Sequence, residues 1–354
     1  MGVWYATRED VMRALDSKLT ARNSAQVDRA LESASRDIEA LCHRRFYPEL
    51  GTRLFDWPNA QGARPWRLWL DDSELVSVIA LSSGGTVIAS TDYLLEPNRS
   101  GPPFNRLEID LDSNAAFGGG DTHQRDISIT GLWGYRDDET AAGALAAAVS
   151  SASATTIAVD GPAAAVLGVG SVLRIGTERL LVTGRVMVDT GQSLGGSGLT
   201  AQANAVSVAV SDGAAFAVDE VLLVESERML VVDIAGNTLT VKRAWDGSVL
   251  ATHDAGVDIY ASRALAVARG ALGTTAATHS LAAAVQRWDP PGPVRDLTIA
   301  EAVTQVTSES AGYARTRKSG EGGTSERSMD ATALSGLRQR VYASHGRKAR
   351  VRAV

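Results

Sequence analysis

The strongest constraint on this chain is that part of it is written twice. Residues 170–182 (GSVLRIGTERLLV) align with residues 219–232 (DEVLLVESERMLVV) at an offset of 49. Val172, Leu173, Glu178, Arg179, Leu181 and Val182 recur as Val221, Leu222, Glu227, Arg228, Leu230 and Val231. The segments upstream agree too, TTIAVDG before the first copy and VSVAVSDG before the second. Another repeat follows at an offset of 26. Residues 241–253 (VKRAWDGSVLATH) align with 267–279 (VARGALGTTAATH), sharing Val241/Val267, Arg243/Arg269, Gly247/Gly273, Ala251/Ala277, Thr252/Thr278 and His253/His279. Each unit reads as short strands separated by glycine-containing turns. A duplicated β module of this size predicts a small barrel or sandwich. One or two small β domains are therefore expected between about residues 155 and 283, inside an inserted segment 154–285.

Outside that segment the pattern is mixed. In residues 24–48 the apolar positions Val27, Leu31, Ala34, Ile38 and Leu41 recur at spacings of four and three, the period of an amphipathic helix. Asn23 or Ser24 is placed to cap its start. His43, Arg44 and Arg45 suit the negative end of the dipole, and Pro48 stops the helix. A shorter helix over 7–19, opened by a Thr7–Asp10 pair close to a capping box, should fold back on it as a hairpin. Residues 52–130 carry short alternating runs: TRLFDW, WRLWL, LVSVIAL, TVIA, DYLLE, NRLEIDL and DISITGLW. They read as strands, with Gly84–Gly85 as a turn. Residues 140–153 are almost all Ala, Gly and Ser, read as a short helix and then a domain boundary. The prolines in 288–293 read as a stiff linker, and Thr298 with Glu301 as the capping box of a returning helix. Residues 317–329 read as a flexible linker, and a last short helix carries Leu334, Leu337 and Val341 on one side.

Composition narrows the class. The chain is 44% hydrophobic and 21% charged, ordinary for a globular protein. A single cysteine excludes a disulfide framework or a cysteine-rich zinc site. No signal peptide or apolar run of membrane-spanning length is read, so no membrane partner is expected. The net charge of −6 argues against a dedicated DNA binder. The exception is the C-terminal stretch, where Arg338, Arg340, Arg347, Lys348, Arg350 and Arg352 occur with no acid among them. Such a segment is suited to pair with carboxylates or phosphates. The alternation in residues 350–354 suits a strand added to a partner's sheet edge, and nonspecific contact with DNA is the rival reading.

Three stretches, taken in order, resemble the head–tail connector (head-completion adaptor) proteins of long-tailed phages. The first is the helix with Ala30, Leu31, Ala34, Ser35, Ile38, Glu39, Cys42, Arg44, Phe46, Tyr47 and Pro48. The second is I-T-G-x-W-G-Y at 129–135, and the third runs through 291–314 and 336–354. Together they cover roughly the first 140 and last 65 residues and leave the β insertion unmatched. The resemblance implies an α+β fold. Residues 1–140 and 290–354 would form a discontinuous helical connector core with short strands, packed through Val27, Leu31, Ala34, Ile38, Leu41 and Phe46, with the small all-β module inserted. It implies a structural virion protein, assembled in the host cytoplasm, forming a ring of twelve copies between portal and tail. Its partners would be the portal, docked by the basic C-terminus, a tail-side adaptor or tail terminator, and transient DNA in the lumen. The alternative is a tail or virion-surface protein whose β modules bind a host carbohydrate or receptor. Sparse aromatics speak against it, since Trp245 is the only tryptophan between Trp133 and Trp288.

Catalytic patterns are not read, and no Gly-x-Ser-x-Gly elbow is expected. There is no Gly-Lys dipeptide for a phosphate loop and no HExxH. Cys42 beside His43 on a helix points about 100° away from it, so a buried inert thiol is expected rather than a dyad. His253 and His279 repeat with their module, which favours a structural place in a turn over a metal site. Glu178–Arg179 and Glu227–Arg228 read as surface or intersubunit ion pairs. Asp71–Asp72 and residues 137–139 offer carboxylates to a cation, but are read as solvated loop charge in preference. No enzyme activity, cofactor or metal is expected.

Overall fold

The computed structural model describes residues 2–15, 21–58, 64–99, 101–310 and 331–347, without the side chains of 21, 22, 310, 331 and 332. In chain order it contains α1 (Arg8–Leu15), α2 (Ala21–Cys42), β1 (Glu49–Phe55), β2 (Arg67–Trp69), β3 (Leu75–Ser83), β4 (Thr86–Val87), β5 (Tyr93–Glu96), β6 (Arg106–Ile109) and β7 (Ile127–Trp133). Then follow β8 (Glu139–Ala144), β9 (Thr156–Ala158), α3 (Gly161–Val166), β10 (Val172–Ile175), β11 (Glu178–Ser193), β12 (Ser207–Ala209), β13 (Val221–Val224), β14 (Glu227–Ala235) and β15 (Thr238–Lys242). The chain ends with β16 (Asp258–Ala268), β17 (Ala284–Trp288), α4 (Gly292–Ser310) and α5 (Ala331–His345). By contacts the chain divides into two units. One holds residues 1–42, 139–271 and 275–346; the other holds 43–138, 272–274 and 347–354.

The second unit contains every strand expected between residues 52 and 130. Its sheets are β1-β7-β3-β4 and β2-β6-β5. Alternating burial along β7 sends Ile127, Ile129 and Trp133 inward to meet Leu68, Leu75, Leu81 and Leu107. The Trp133 indole N–H donates to the Gly51 carbonyl at 2.9 Å, which satisfies the one polar atom of the ring.

In the first unit the helical ends of the chain meet. Val27, Leu31 and Ala34 of α2 are buried with Trp4, Val11, Met12, Ala302 and Val306. Gln26 Nε2 donates to Glu309 Oε2 at 2.9 Å, across 283 residues of sequence. Arg338 Nε donates to Glu301 Oε1 at 2.6 Å, tying α5 to α4. Thr7 and Asp10 form the expected reciprocal cap, each backbone amide donating to the other's side chain. Other boundaries differ from expectation. The described part of α2 reaches back to Ala21, past Asn23 and Ser24, and ends at Cys42, where His43 turns left-handed at φ +53. Phe46 therefore lies beyond the helix; it is buried and packs edge-on to Tyr135. Leu41 is only half-buried. α4 starts at Gly292 rather than Thr298, with Pro293 in its first turn, where a missing amide is harmless. Thr298 is inside the helix and donates to the Val294 carbonyl. The linker expected at 317–329 lies outside the described residues.

The larger part of this unit is a ten-stranded antiparallel sheet in the order β12-β15-β14-β13-β16-β11-β10-β17-β8, with β9 paired to β16. It consists of one β lobe inserted into the hairpin of another. In the inner lobe β14 pairs with β15 as Val231↔Val241, a bulge, then Asp233↔Thr240, Ile234↔Leu239 and Ala235↔Thr238. In the outer lobe β11 pairs with β16 as Val182↔Val267, a bulge, then Gly184↔Ala266, Arg185↔Leu265 and Val186↔Ala264. The first partners differ by 49 and the second by 26 throughout, and the bulge falls at the same step. Ala235 and Thr238 close on the turn Gly236–Asn237. Val186 and Ala264 occupy the same places but are separated by the whole inner lobe. The long strands β11 and β16 thus serve both lobes. Their outer halves finish the outer hairpin. Their far ends pair as Ser193↔Asp258, the counterpart of Ala144↔Ala284 between β8 and β17. Each lobe has its own apolar core, one around Leu173, Leu180 and Leu265, the other around Leu222, Met229 and Leu239.

The expected α+β fold, a helical connector core carrying a small all-β module, is therefore corrected. Among the described residues β structure predominates, 35% strand against 23% helix. Two features account for this. Residues 139–144 form strand β8, because pairing with β17 and burial of Ala142 outweigh the helix propensity of an alanine-rich run. The duplicated segment is one continuous sheet with two cores, not a minor appendage.

Candidate functional site

Two buried, fully hydrogen-bonded carboxylates lie where the front and back halves of each repeat meet. In the outer lobe Glu178, the first residue of β11, is fully buried. Arg269, just past β16, donates to it from Nε and Nη2, both at 2.7 Å. The amides of Gly270 (2.9 Å) and Ala277 (3.0 Å) donate to the same carboxylate, and His279 Nε2 lies 2.7 Å from it. The inner lobe repeats this arrangement. Glu227, also fully buried, receives Arg243 Nε and Nη2 at 2.7 Å, the amides of Ala244 (2.9 Å) and Ala251 (3.0 Å), and faces His253 Nε2 at 2.9 Å. Each arginine also ties down loop carbonyls: Arg269 those of Ser151, Ala154 and Ala277, Arg243 those of Thr200, Ala205 and Ala251.

Glutamate and arginine are 91 residues apart in the outer clamp and 16 in the inner; for glutamate and histidine the separations are 101 and 26. Both differ by 75, the two repeat offsets taken together, as one lobe nested in another requires. The lobes diverge at one point. Glu225, in a left-handed turn at φ +52, adds a second carboxylate 2.7 Å from His253 Nδ1, where the outer lobe has Gly176 at φ +60. His253 and His279 thus hold structural places, each in an antiparallel bridge, with Leu199 and Val149 respectively.

Burial alone would push the Glu178 and Glu227 carboxyls up. Hydrogen bonds from Arg269 or Arg243, two amides and a histidine outweigh it and hold each at about 2. The expectation that these glutamates form surface ion pairs with Arg179 and Arg228 is corrected. Neighbours along a strand point to opposite faces. Arg179 accordingly pairs with Glu139 and Arg228 with Asp246. With every lone-pair direction taken, these carboxylates are placed to lock strand ends to loops, not to accept a proton from a substrate. The sign of their pH dependence follows. A folded pKa of about 2 against an ordinary 4.5 adds stability that is complete above 4.5 and disappears as pH falls towards 2, about 3 kcal/mol per clamp. Acid titration followed by circular dichroism should show stability falling steeply between pH 4.5 and 2; a flat profile there contradicts the clamp.

The residues expected to dock a partner have different surroundings. Arg338 pairs with Glu301, Arg347 pairs with Asp72 at 2.9 Å, and Arg340 is exposed. Lys348, Arg350 and Arg352 lie outside the described residues. Cys42 is buried. Of the acidic loops, Asp72 meets Arg347, and Glu139 holds Arg174 and Arg179. Among the described residues no three His, Cys, Asp or Glu side chains are placed to hold a metal ion, and no helix is long and apolar enough to cross a membrane. The expectation that no Gly-x-Ser-x-Gly occurs is corrected, since Gly191–Gln192–Ser193–Leu194–Gly195 has that spacing. Ser193, however, ends strand β11 in register with Asp258 and does not lead into a helix. A cleft of about 250 Å³ runs beside α1 and the two lobes, with Arg13, Arg185, Arg228, Trp245 and Asp246 on its walls. No family model, curated protein or solved structure matches this chain.

Proposed function

We propose that this chain is a structural virion protein of a long-tailed phage, a head-to-tail adaptor that forms a ring between portal and tail and gives passage to DNA. The observation that carries the reading is the meeting of the two chain ends. The segments that resemble connectors, α2 near the start and α4 and α5 near the end, pack as one helical layer, joined by contacts such as Gln26–Glu309. The duplicated β lobes lie between these segments in sequence and belong to the same unit as the helices. A ring requires a heterologous interface that closes by rotation, with twelve copies, the number the resemblance implies. An overall charge of −6 suits a lumen through which DNA slides without sticking. Arg340, exposed on α5, with Lys348, Arg350 and Arg352 is the portal-docking end, while Arg338 and Arg347 pair with the protein's own acids.

Native mass spectrometry and class averages of the protein with and without a portal ring test this. A closed ring on the portal is the expected result; a monomer under both conditions overturns the reading. Deleting residues 338–354 should abolish portal attachment while leaving the β lobes folded, and unchanged attachment would show that the basic end is not the dock.

A further inference from the structure

The duplication gives each lobe the same loop after its clamp arginine. Gly270, Leu272 and Gly273 have φ of +58°, +55° and +79°. Ala244, Asp246 and Gly247, 26 residues earlier, have +51°, +50° and +65°. Three left-handed positions in four residues are rare, and rarer still in residues with a Cβ. The first residue of each loop is tied to its clamp, Gly270 N–H donating to Glu178 and Ala244 N–H to Glu227.

The first of these loops is occupied. Its tip, 272–274, groups with the unit that contains β1. Leu50 N–H donates to the Leu272 carbonyl at 2.8 Å. Gly273 lies so close to Leu50 that a Cβ on it would stand 1.9 Å from the Leu50 carbonyl oxygen. The loop thus holds the start of an extended strand, Glu49–Leu50–Gly51, through its backbone. Among the described residues no amide fills the matching place at Asp246. The second loop opens instead on the cleft of about 250 Å³ beside α1.

We propose that the loop at residues 245–248 is a docking site for an extended edge segment of a partner protein, one in which an acidic residue precedes an aliphatic one as Glu49 precedes Leu50. The shared backbone supplies the mode of recognition, main-chain hydrogen bonding to an extended segment. The side chains supply the preference for acid. Lys242 Nζ lies 4.5 Å from the centre of the Trp245 ring and the Arg13 guanidinium 5.9 Å from it, and both cations are exposed. The outer loop has Ala268 and Ala271 where the inner has Lys242 and Trp245. The Asp246 carboxylate does not oppose an acidic guest, since Arg228 neutralises it. A second copy of this chain is a poorer guest, because its own Leu50 amide is already bonded to Leu272.

The probe is a synthetic hexapeptide with the sequence of residues 47–52, YPELGT, titrated into the full chain labelled with 15N-tryptophan. The Trp245 indole signal is identified by its loss in Trp245→Phe. The expected result is a saturable shift of that signal with a dissociation constant of about 1 mM or below, the range of short edge peptides. YPQLGT should bind about fivefold more weakly, and Lys242→Glu, at an exposed position outside the clamp, should weaken YPELGT about tenfold. The proposal is overturned by no response at Trp245 or by equal response to a scrambled peptide. It is also overturned by shifts confined to Leu50 and Leu272 on a uniformly labelled sample, or by shifts that appear on concentrating the protein alone, which would make the guest a second copy.

Discussion

Changing Glu227 to glutamine should unfold the inner lobe while the outer lobe and the helices stay folded. The substitution keeps the side chain's shape but removes the charge that Arg243 and His253 face, and it turns an amide group towards donors. Arg243 is then a guanidinium 98% removed from solvent without its counter-ion, its side chain being 2% exposed. Breaking a buried pair from one side costs roughly 3–5 kcal/mol. The inner lobe has a modest core around Leu222, Met229 and Leu239, and a small core has little margin against such a loss. Hydrogen exchange on the full chain locates the damage. Amides of β13, β14 and β15 should lose protection by about a hundredfold or more, while those of β10 and β17 change little. Glu178→Gln should produce the mirror result in β10 and in the outer half of β11. Equal loss in both lobes from either change would mean that the shared strands weld them into one cooperative body, and no loss would mean that the clamps are ornamental. Replacing Glu227, Arg243 and His253 together with apolar residues should be milder than Glu227→Gln, since no charge is left unpaired.

The clamps were only half legible in the sequence. The offsets of 49 and 26 stood out, as did the recurrence of His253 as His279. What pattern alone does not convey is that the two repeats are the front and back halves of a single unit, because the back half of the outer copy lies beyond the entire inner copy. Each glutamate looked like the partner of the arginine beside it. The strand's alternation sends that arginine to the other face, and the true partner sits 91 residues away in one lobe and 16 in the other. A cue was present: Glu178 and Glu227 each stand at the start of an apolar run, RLLV and RMLVV, where an unpaired carboxylate would be costly. The strands of residues 49–133 and the buried face of α2 were plain, because periods of two and of about 3.6 are local properties. The alanine-rich run that became β8 was not, because only its distant partner β17 makes it a strand. The start of α4 was misplaced for another reason. Thr298 and Glu301 have cap spacing, but the hydroxyl bonds backward within the helix and the carboxylate reaches Arg338.

Removing the inner lobe should leave a folded protein, a more demanding consequence of the nesting. The outer hairpin pairs Val186 with Ala264, and the equivalent pair in the inner lobe, Ala235 and Thr238, closes through Gly236–Asn237. Gly236, at φ +59, takes the first central position of a two-residue hairpin turn, where a left-handed backbone is needed. Replacing residues 187–263 with Gly-Asn should therefore close β11 onto β16 in the register they already have. The shortened chain keeps β8, β9, α3, β10 and β17, the Glu178–Arg269–His279 clamp and the core around Leu173 and Leu265. It loses the contact of Arg263 with Glu220, but both members leave together, so no buried charge is stranded. The excised segment carries the far ends of β11 and β16 along with β12 to β15, a full set of paired strands, and should fold as an isolated fragment. Its small size makes it the less stable of the two products. Cooperative thermal unfolding of the shortened chain, with a melting temperature within about 10 °C of the parent's outer-lobe transition, is the expected outcome. A shortened chain that is soluble but lacks near-ultraviolet dichroism would show that the outer lobe depends on its guest, and that the two copies, however alike in register, no longer fold apart.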